Sequence, residues 1–133
     1  MSGGSHLNKV LVCITPQANG RLLIDKGHAI SLYIGAELHI LHVEQNNSVF
    51  YTEESARMLD NLFRYGSERG AVVHAICAQD PFKTIKHFIK DEGVTDVILG
   101  ESPESVFGFS ERLYTAAPHI RLHVIYKSLR ANT

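Results

Sequence analysis

Five apolar, β-branched runs alternate with four helical patterns along this chain. The runs read KVLVCI, ELHILHV, VVHAICA, VTDVIL and RLHVIY, and they predict strands over residues 9–14, 37–43, 72–78, 94–99 and 121–126. Because every connection is long enough for a crossover, the strands would run parallel and helices would cover both faces of the sheet. The alternation therefore predicts an α/β fold with a single doubly wound, five-stranded parallel sheet.

Local start and stop signals define the four helices. Capping residues and proline favour a helix start, and glycine favours a helix end. On these signals the first helix ends at Gly35, the second runs from the capping sequence at 52–55 to Gly70, the third runs from Asp80 and Pro81 to Gly93, and the fourth covers residues 106–117.

The composition fits one domain. The chain has 133 residues, of which 44% are hydrophobic and 20% are charged, and this size is close to the commonest size of a single domain. We expect the domain at residues 8–128, with a disordered arm or cloning scar at 1–7 and a tail at 129–133. A net charge of -1 gives no electrostatic footprint for nucleic acid. No apolar run approaches the roughly 20 residues that a membrane span needs, so we expect no membrane insertion.

The two cysteines indicate a reducing compartment. Cys13 and Cys77 fall inside apolar strand runs and match no metal-binding spacing. We interpret both as small buried thiols, which predicts a cytoplasmic protein.

No motif in the sequence predicts catalysis or a metal site. The chain has no G-x-S-x-G elbow and no G-x-x-x-x-G-K-[ST] loop. His39 and His42 are an odd number of residues apart in one predicted strand, so their side chains would point to opposite faces. We therefore expect neither an enzyme nor a metal protein.

The seam VCITPQANG, at residues 12–20, joins the first strand to the first helix. In doubly wound sheets, ligands bind beyond the carboxyl ends of the strands, where the strand order reverses. If the first strand is central, Thr15 and Pro16 would meet Gly100 at that crevice. The alternative is that Thr15 and Pro16 simply end the strand while Asn19 caps the helix.

Several segments together resemble the universal stress protein family, and most closely the version found inside the potassium-sensing histidine kinase KdpD. The first strand ends V-C-I-T-P with an Asn shortly after, the first helix ends I-G-A-E, and the second strand ends L-H-V. Residues 80–85 resemble the family's D-P-x-x-x-I helix start, and residues 93–100 resemble its G-x-D-x-I-V-x-G strand. Residues 110–113, followed by Ala117 and Pro118, resemble its last helix. The resemblance covers residues 8–126.

The resemblance implies a cytoplasmic homodimer with a flavodoxin-like or Rossmann-like sheet in the strand order 3-2-1-4-5. Many family members bind an adenine nucleotide. Carried over by position, the base and ribose would lie against the end of the first strand and the phosphates beyond the fourth. The implied nucleotide-binding residues are Ile14, Thr15, Pro16, Val43, Leu99, Gly100, Ser102, Gly108 and Ser110.

The sequence departs from the family's ATP-binding pattern at the phosphate loop. Thr15 stands where ATP-binding members usually carry Asp, and Pro103 replaces a glycine and removes an N–H donor. Glu101 and Glu104 would bring negative charge towards the phosphates. We therefore expect weak binding of AMP or of a cyclic dinucleotide, and we do not expect tight binding of ATP.

The last strand suggests a second role. RLHVIY is apolar on both faces and would lie at the edge of the sheet, where it could pair with a second chain. Members of the family dimerise through this strand, so the implied contact residues are Leu122, His123, Val124, Ile125 and Tyr126. The sequence thus leaves two functions open: a stress-response or signalling domain that binds a nucleotide-type ligand, and an interaction module that binds none. The second could be a regulatory domain related to a potassium sensor kinase or transporter.

Overall fold

The computed structural model describes residues 8–15, 19–45, 52–101 and 108–126. The predicted arm at 1–7 and tail at 129–133 lie outside these residues. Strands and helices alternate along the described chain. In chain order they are β1 (Lys9–Cys13), α1 (Gly20–Ile34), β2 (Glu37–Glu44), α2 (Glu53–Ser67), β3 (Val72–Cys77), α3 (Pro81–Glu92), β4 (Asp96–Glu101), α4 (Phe109–Ala116) and β5 (Arg121–Tyr126).

All five strands form one parallel sheet in the order β3-β2-β1-β4-β5. The predicted fold class and strand order are confirmed. β1 is central because it pairs with β2 on one side and with β4 on the other. The strand order therefore reverses at β1, and β3 and β5 form the two edges.

The helices cover the sheet in pairs. α1 packs on β1, β2 and β4 and contacts α2, whereas α3 and α4 contact each other and pack on β2, β4 and β5. Strand alternation divides the core accordingly. Val10, Val12 and Ile14 belong to the core with α1 and α2, while Leu11 belongs to the core with α3 and α4.

Most of the predicted helix ends are confirmed. The Thr52 hydroxyl accepts from the Ser55 backbone N–H, and the Ser55 hydroxyl accepts from the Thr52 N–H, which is a capping box. The Asp80 carboxylate caps α3 by accepting from the Lys83 N–H, with proline at the first helical position. Gly93 ends α3 in the left-handed conformation, with φ of 67°.

Two local predictions were wrong, and one alternative is met only in part. β4 begins at Asp96 rather than at Val94, because the Val94 N–H bonds to the Ile89 carbonyl and the valine side chain is buried in the cap that ends α3. In the alternative, Asn19 caps the first helix; it does occupy the N-cap position of α1, but its side chain makes no cap bond. Both cysteines were predicted to be buried, but Cys77 is exposed, since it ends the edge strand β3, and Cys13 is only half-buried.

The fourth helix also ends one residue earlier than predicted. α4 stops at Ala116, and the start predicted at 106 lies outside the described residues. Among the helices described, none is both long enough and apolar enough to cross a membrane.

Candidate ligand-binding site

A cavity of about 240 Å³ opens where β1, β2 and β4 end, at the carboxyl edge of the sheet. It lies where a doubly wound sheet places its ligand, beside the reversal of strand order. The described residues that line it are Cys13, Ile14, Thr15, Leu41, Val43, Pro81, Ile85, Leu99, Gly100 and Phe109.

Strand alternation builds the floor of this cavity. Leu41, Val43 and Leu99 all face the layer formed by α3 and α4, because side chains alternate between the two faces of the sheet. Ile85 comes from the buried stripe of α3, and Phe109 comes from the first turn of α4. The floor is therefore an apolar surface held between a sheet and two helices.

The structure brings together five of the nine predicted nucleotide-binding residues. Ile14, Thr15, Val43, Leu99 and Gly100 all line the cavity, which places the end of β1 beside the end of β4. Two others, residues 16 and 102, lie outside the described residues.

The remaining two predicted residues lie at the start of α4. Gly108 directly precedes the helix, and Ser110 is buried in its first turn. Ser110 lines a separate groove with Glu111 and Tyr114, and neither Gly108 nor Ser110 is among the residues that line the cavity. They are thus near the candidate site in the fold without forming its wall.

Sequence reasoning missed several lining residues. Cys13 and Leu41 were interpreted only as strand core, and Ile85 and Phe109 only as buried helix positions. The usable signal was strand parity: residues 13, 41, 43 and 99 share the side of the sheet that the third and fourth helices cover. Near a strand end, a side chain on this face lines the cavity as well as packing in the core.

The cavity is electrically neutral in its described part. None of the described lining residues carries a charged side chain, and the polar side-chain groups are the Thr15 hydroxyl and the Cys13 thiol. Burial raises the pKa of Cys13 to about 12, so its thiol is uncharged near neutral pH. Such a surface suits a flat, uncharged part of a ligand and offers no cation to a phosphate.

Gly100 keeps the wall of the cavity close to the start of α1. A Cβ atom at this position would lie 3.1 Å from Leu23 Cδ1 and 3.3 Å from Asn19 Nδ2. Because these contacts are tight, a larger residue would press against the helix start. The Asn19 amide, which the sequence had suggested as a cap, lies beside Gly100 instead.

His42 supports the cavity wall from the opposite face of the sheet. The His42 side chain is buried, with Nδ1 3.0 Å from the Ile14 carbonyl oxygen and Nε2 2.9 Å from Glu44 Oε1. His42 thus joins the end of β1 to the end of β2 through its two ring nitrogens. Within the described part of the chain, no group of three or more His, Cys, Asp or Glu side chains could hold a metal ion.

Solved structures share this arrangement of strands and helices, although neither a family model nor a curated protein matches the sequence. A universal stress protein from Archaeoglobus fulgidus aligns with a TM-score of 0.68 and 12% identity, over 89% of this chain and 93% of that chain. The chain has the universal-stress-protein fold.

Two further structures of this fold were solved with nucleotides. A universal stress protein in complex with cAMP aligns with a TM-score of 0.64 and 11% identity, over 92% of this chain and 98% of that chain. The universal stress protein from Archaeoglobus fulgidus in complex with dAMP aligns with a TM-score of 0.62 and 12% identity, over 90% and 98% of the two chains. Both ligands contain an adenine base and a single phosphate group.

Proposed function

We propose that this chain is a universal-stress-protein-like signalling or stress-response domain that binds a nucleotide-type ligand weakly. The observation that carries the proposal is the neutral, apolar cavity at the carboxyl edge of the sheet, which contains Thr15 and Gly100. In this proposal the base and sugar enter the cavity while the phosphate stays outside. Two unpaired cysteines are consistent with work in the cytoplasm.

The size and charge of the cavity support a small ligand with few phosphates. Its volume of about 240 Å³ falls just below the roughly 300–1,000 Å³ of typical ligand pockets, which favours one nucleoside over a cyclic dinucleotide. Because no described lining residue is charged, additional phosphates would gain little and would lose hydration on approach. Structures of the same fold with cAMP and with dAMP support a ligand of this size. We assign no catalytic step to the site.

The test is a thermal-shift and calorimetry panel with adenosine, AMP, cAMP, ATP and a cyclic dinucleotide. A ligand at 100 times its dissociation constant should add about 2.7 kcal/mol of stability. Val43→Phe narrows the cavity and should abolish the shift, whereas Leu32→Phe on the exposed face of α1 should leave it unchanged.

Two results would count against a nucleotide ligand. One is the absence of a shift with every compound in the panel. The other is an equal shift in the Val43→Phe and Leu32→Phe variants. ATP binding tighter than AMP binding would contradict the assignment of a neutral cavity specifically.

A second candidate function is a dimerisation module, and the edge position of β5 favours it. β5 pairs with β4 alone among the described strands, and Leu122, His123, Val124 and Ile125 are only half-buried. Tyr126 is exposed at the end of the strand. Such an edge offers backbone N–H and C=O groups to a second copy.

Analytical ultracentrifugation tests the dimer. Ile125→Lys puts a charge on β5 and should shift a dimer towards monomer, whereas Val72→Lys on the opposite edge strand β3 should not. A monomeric wild-type chain at high micromolar concentration would refute dimerisation. A dimer that responds to no nucleotide would favour an interaction module, related in role to the domain of a potassium sensor kinase or transporter.

A further inference from the structure

Two histidines on neighbouring strands share a hydrogen bond on the face that α3 covers. His39 Nδ1 in β2 lies 2.9 Å from His74 Nε2 in β3. The rings are within 10° of parallel, with centroids 5.2 Å apart. Since the centroid distance is close to the nitrogen–nitrogen distance plus two ring radii, the rings meet edge to edge in one plane. That is the geometry of a direct imidazole–imidazole hydrogen bond.

The neighbouring carboxylate fixes where the protons lie. Glu37 Oε1 is 3.0 Å from His39 Nε2, and an ionised carboxylate can only accept. Neutral His39 must therefore donate from Nε2, which leaves Nδ1 as an acceptor. His74 must then donate from Nε2 to complete the pair. His74 Nδ1 makes no hydrogen bond within the described residues.

The surrounding charges can offset one added proton. On β1 and α3, Lys9 Nζ and Glu92 Oε1 form an ion pair at 3.0 Å and neutralise each other. This leaves the Glu37 carboxylate as the one uncompensated charge among the described groups facing the pair. The Phe88 ring of α3 covers the side of the pair, with its centroid 4.8 Å from that of His74. A second added proton would enter without a counter-charge.

We propose that the His39–His74 pair is an acid-sensitive latch that fastens edge strand β3 to β2, stays closed with one added proton and opens with the second. The first proton can bind His74 Nδ1 and leave the shared hydrogen bond intact. The second must bind His39 Nδ1. Both His39 Nδ1 and His74 Nε2 would then carry a proton, so the hydrogen bond between them would be lost. β3 would loosen first, because β2 is the one strand it pairs with in the described sheet.

The direction of the His74 pKa shift supports the sensitivity to acid. Burial and the positive charge of a protonated His39 lower the pKa of His74 below its usual value. The unfolded chain therefore takes up protons first as the pH falls below about 6.5. Folding stability is consequently lost as the pH falls, and the backbone amides of β3 should be the least protected against hydrogen exchange.

Hydrogen exchange of the full chain tests the latch. Between about pH 8 and pH 5, where histidine titrates, the protection factors of the amides in Val72–Cys77 should fall about tenfold. His74→Gln keeps a donor to His39 Nδ1 but does not titrate, so its β3 protection should change little over the same range. His87→Gln, at an exposed position of α3, should behave like the wild type.

Two outcomes would overturn the proposal. One is β3 protection in the wild type that is independent of pH, and the other is an equal loss in His74→Gln. If His74→Gln does not fold, nitrogen-15 spectra of the wild-type imidazoles decide the matter. The proposal requires the Nε2–H form of His74 at neutral pH and two coupled proton-binding steps. Independent titration of the two rings would refute it.

Discussion

Replacing Asp96 by Asn should weaken the attachment of edge strand β5. Asp96 is only 2% exposed. It is the first residue of β4 and pairs with Arg121, the first residue of β5. Arg121 donates from Nε to Oδ2 at 3.0 Å and from Nη2 to Oδ1 at 2.9 Å. The Thr95 hydroxyl donates at 2.8 Å, and His123 Nε2 lies at 3.2 Å. The carboxylate thus joins two strands through one buried group.

The expected loss follows from these contacts. Asn keeps the size of the side chain but removes the charge and turns one oxygen into a donor that faces Arg121. A hydrogen bond to a charged group contributes about 1.5–3 kcal/mol. Because the Arg121 side chain is 61% exposed, water can replace much of the hydrogen bonding that Arg121 loses in the variant. We therefore expect the free energy of unfolding to fall by about 2 kcal/mol.

Urea unfolding at constant m-value measures this loss. Glu92→Gln breaks the more exposed ion pair with Lys9 and should cost about 1 kcal/mol or less. A smaller loss in Asp96→Asn than in Glu92→Gln would refute the reasoning.

The same substitution should also change the response to acid. Burial raises the pKa of Asp96, but hydrogen bonds from Arg121, Thr95 and His123 outweigh it, so the pKa lies below its usual value. The carboxylate therefore stabilises the fold above about pH 4 and loses that contribution as the pH falls through the folded pKa. The difference between wild type and Asp96→Asn should shrink in strong acid. A constant difference would contradict this account.

Three further predictions concern helix caps, packing and thiols. Thr52→Ala should lose about 1 kcal/mol by urea unfolding, whereas Asn19→Ala, which loses no cap bond, should change stability by less than about 0.5 kcal/mol; equal losses would contradict the capping geometry. Gly27→Ala should cost about 1–3 kcal/mol, because its Cβ would press against a methyl carbon of Val12 in the core, and a gain in stability would contradict that packing. In the native chain a disulfide reagent should modify exposed Cys77 well before half-buried Cys13, because the pKa of Cys13 is raised to about 12, and equal rates would contradict that raised pKa.

The sequence predicted the elements well where the signals are local. Thr52 and Asp80 begin helices as expected, because capping depends on residues within one turn. Gly93 ends α3 as expected, yet the strand after it starts two residues late. Val94 has strand propensity, but its side chain closes the helix end, and propensity does not distinguish these two uses.

The candidate site was predictable only as far as topology fixed it. Thr15 and Gly100 line one cavity because the order of strands places β1 beside β4. Cys77 was assigned to the core because its run is apolar, and the run does not reveal that its strand lies at an edge. The bonds from Asp96 to Arg121 and from His39 to His74 depend on strand pairing between distant segments, which one sequence does not specify.

The ionic contacts made by Glu37, Asp96 and Arg121 lie at the opposite end of the strands from the cavity. Glu37, Asp96 and Arg121 each stand first in a strand, while the cavity is lined by residues at strand ends. Substitutions that retune what the cavity holds would therefore leave these ionic contacts untouched. During evolution the domain can therefore change the small ligand that it binds, while the contacts at the N-terminal ends of the strands keep the sheet assembled.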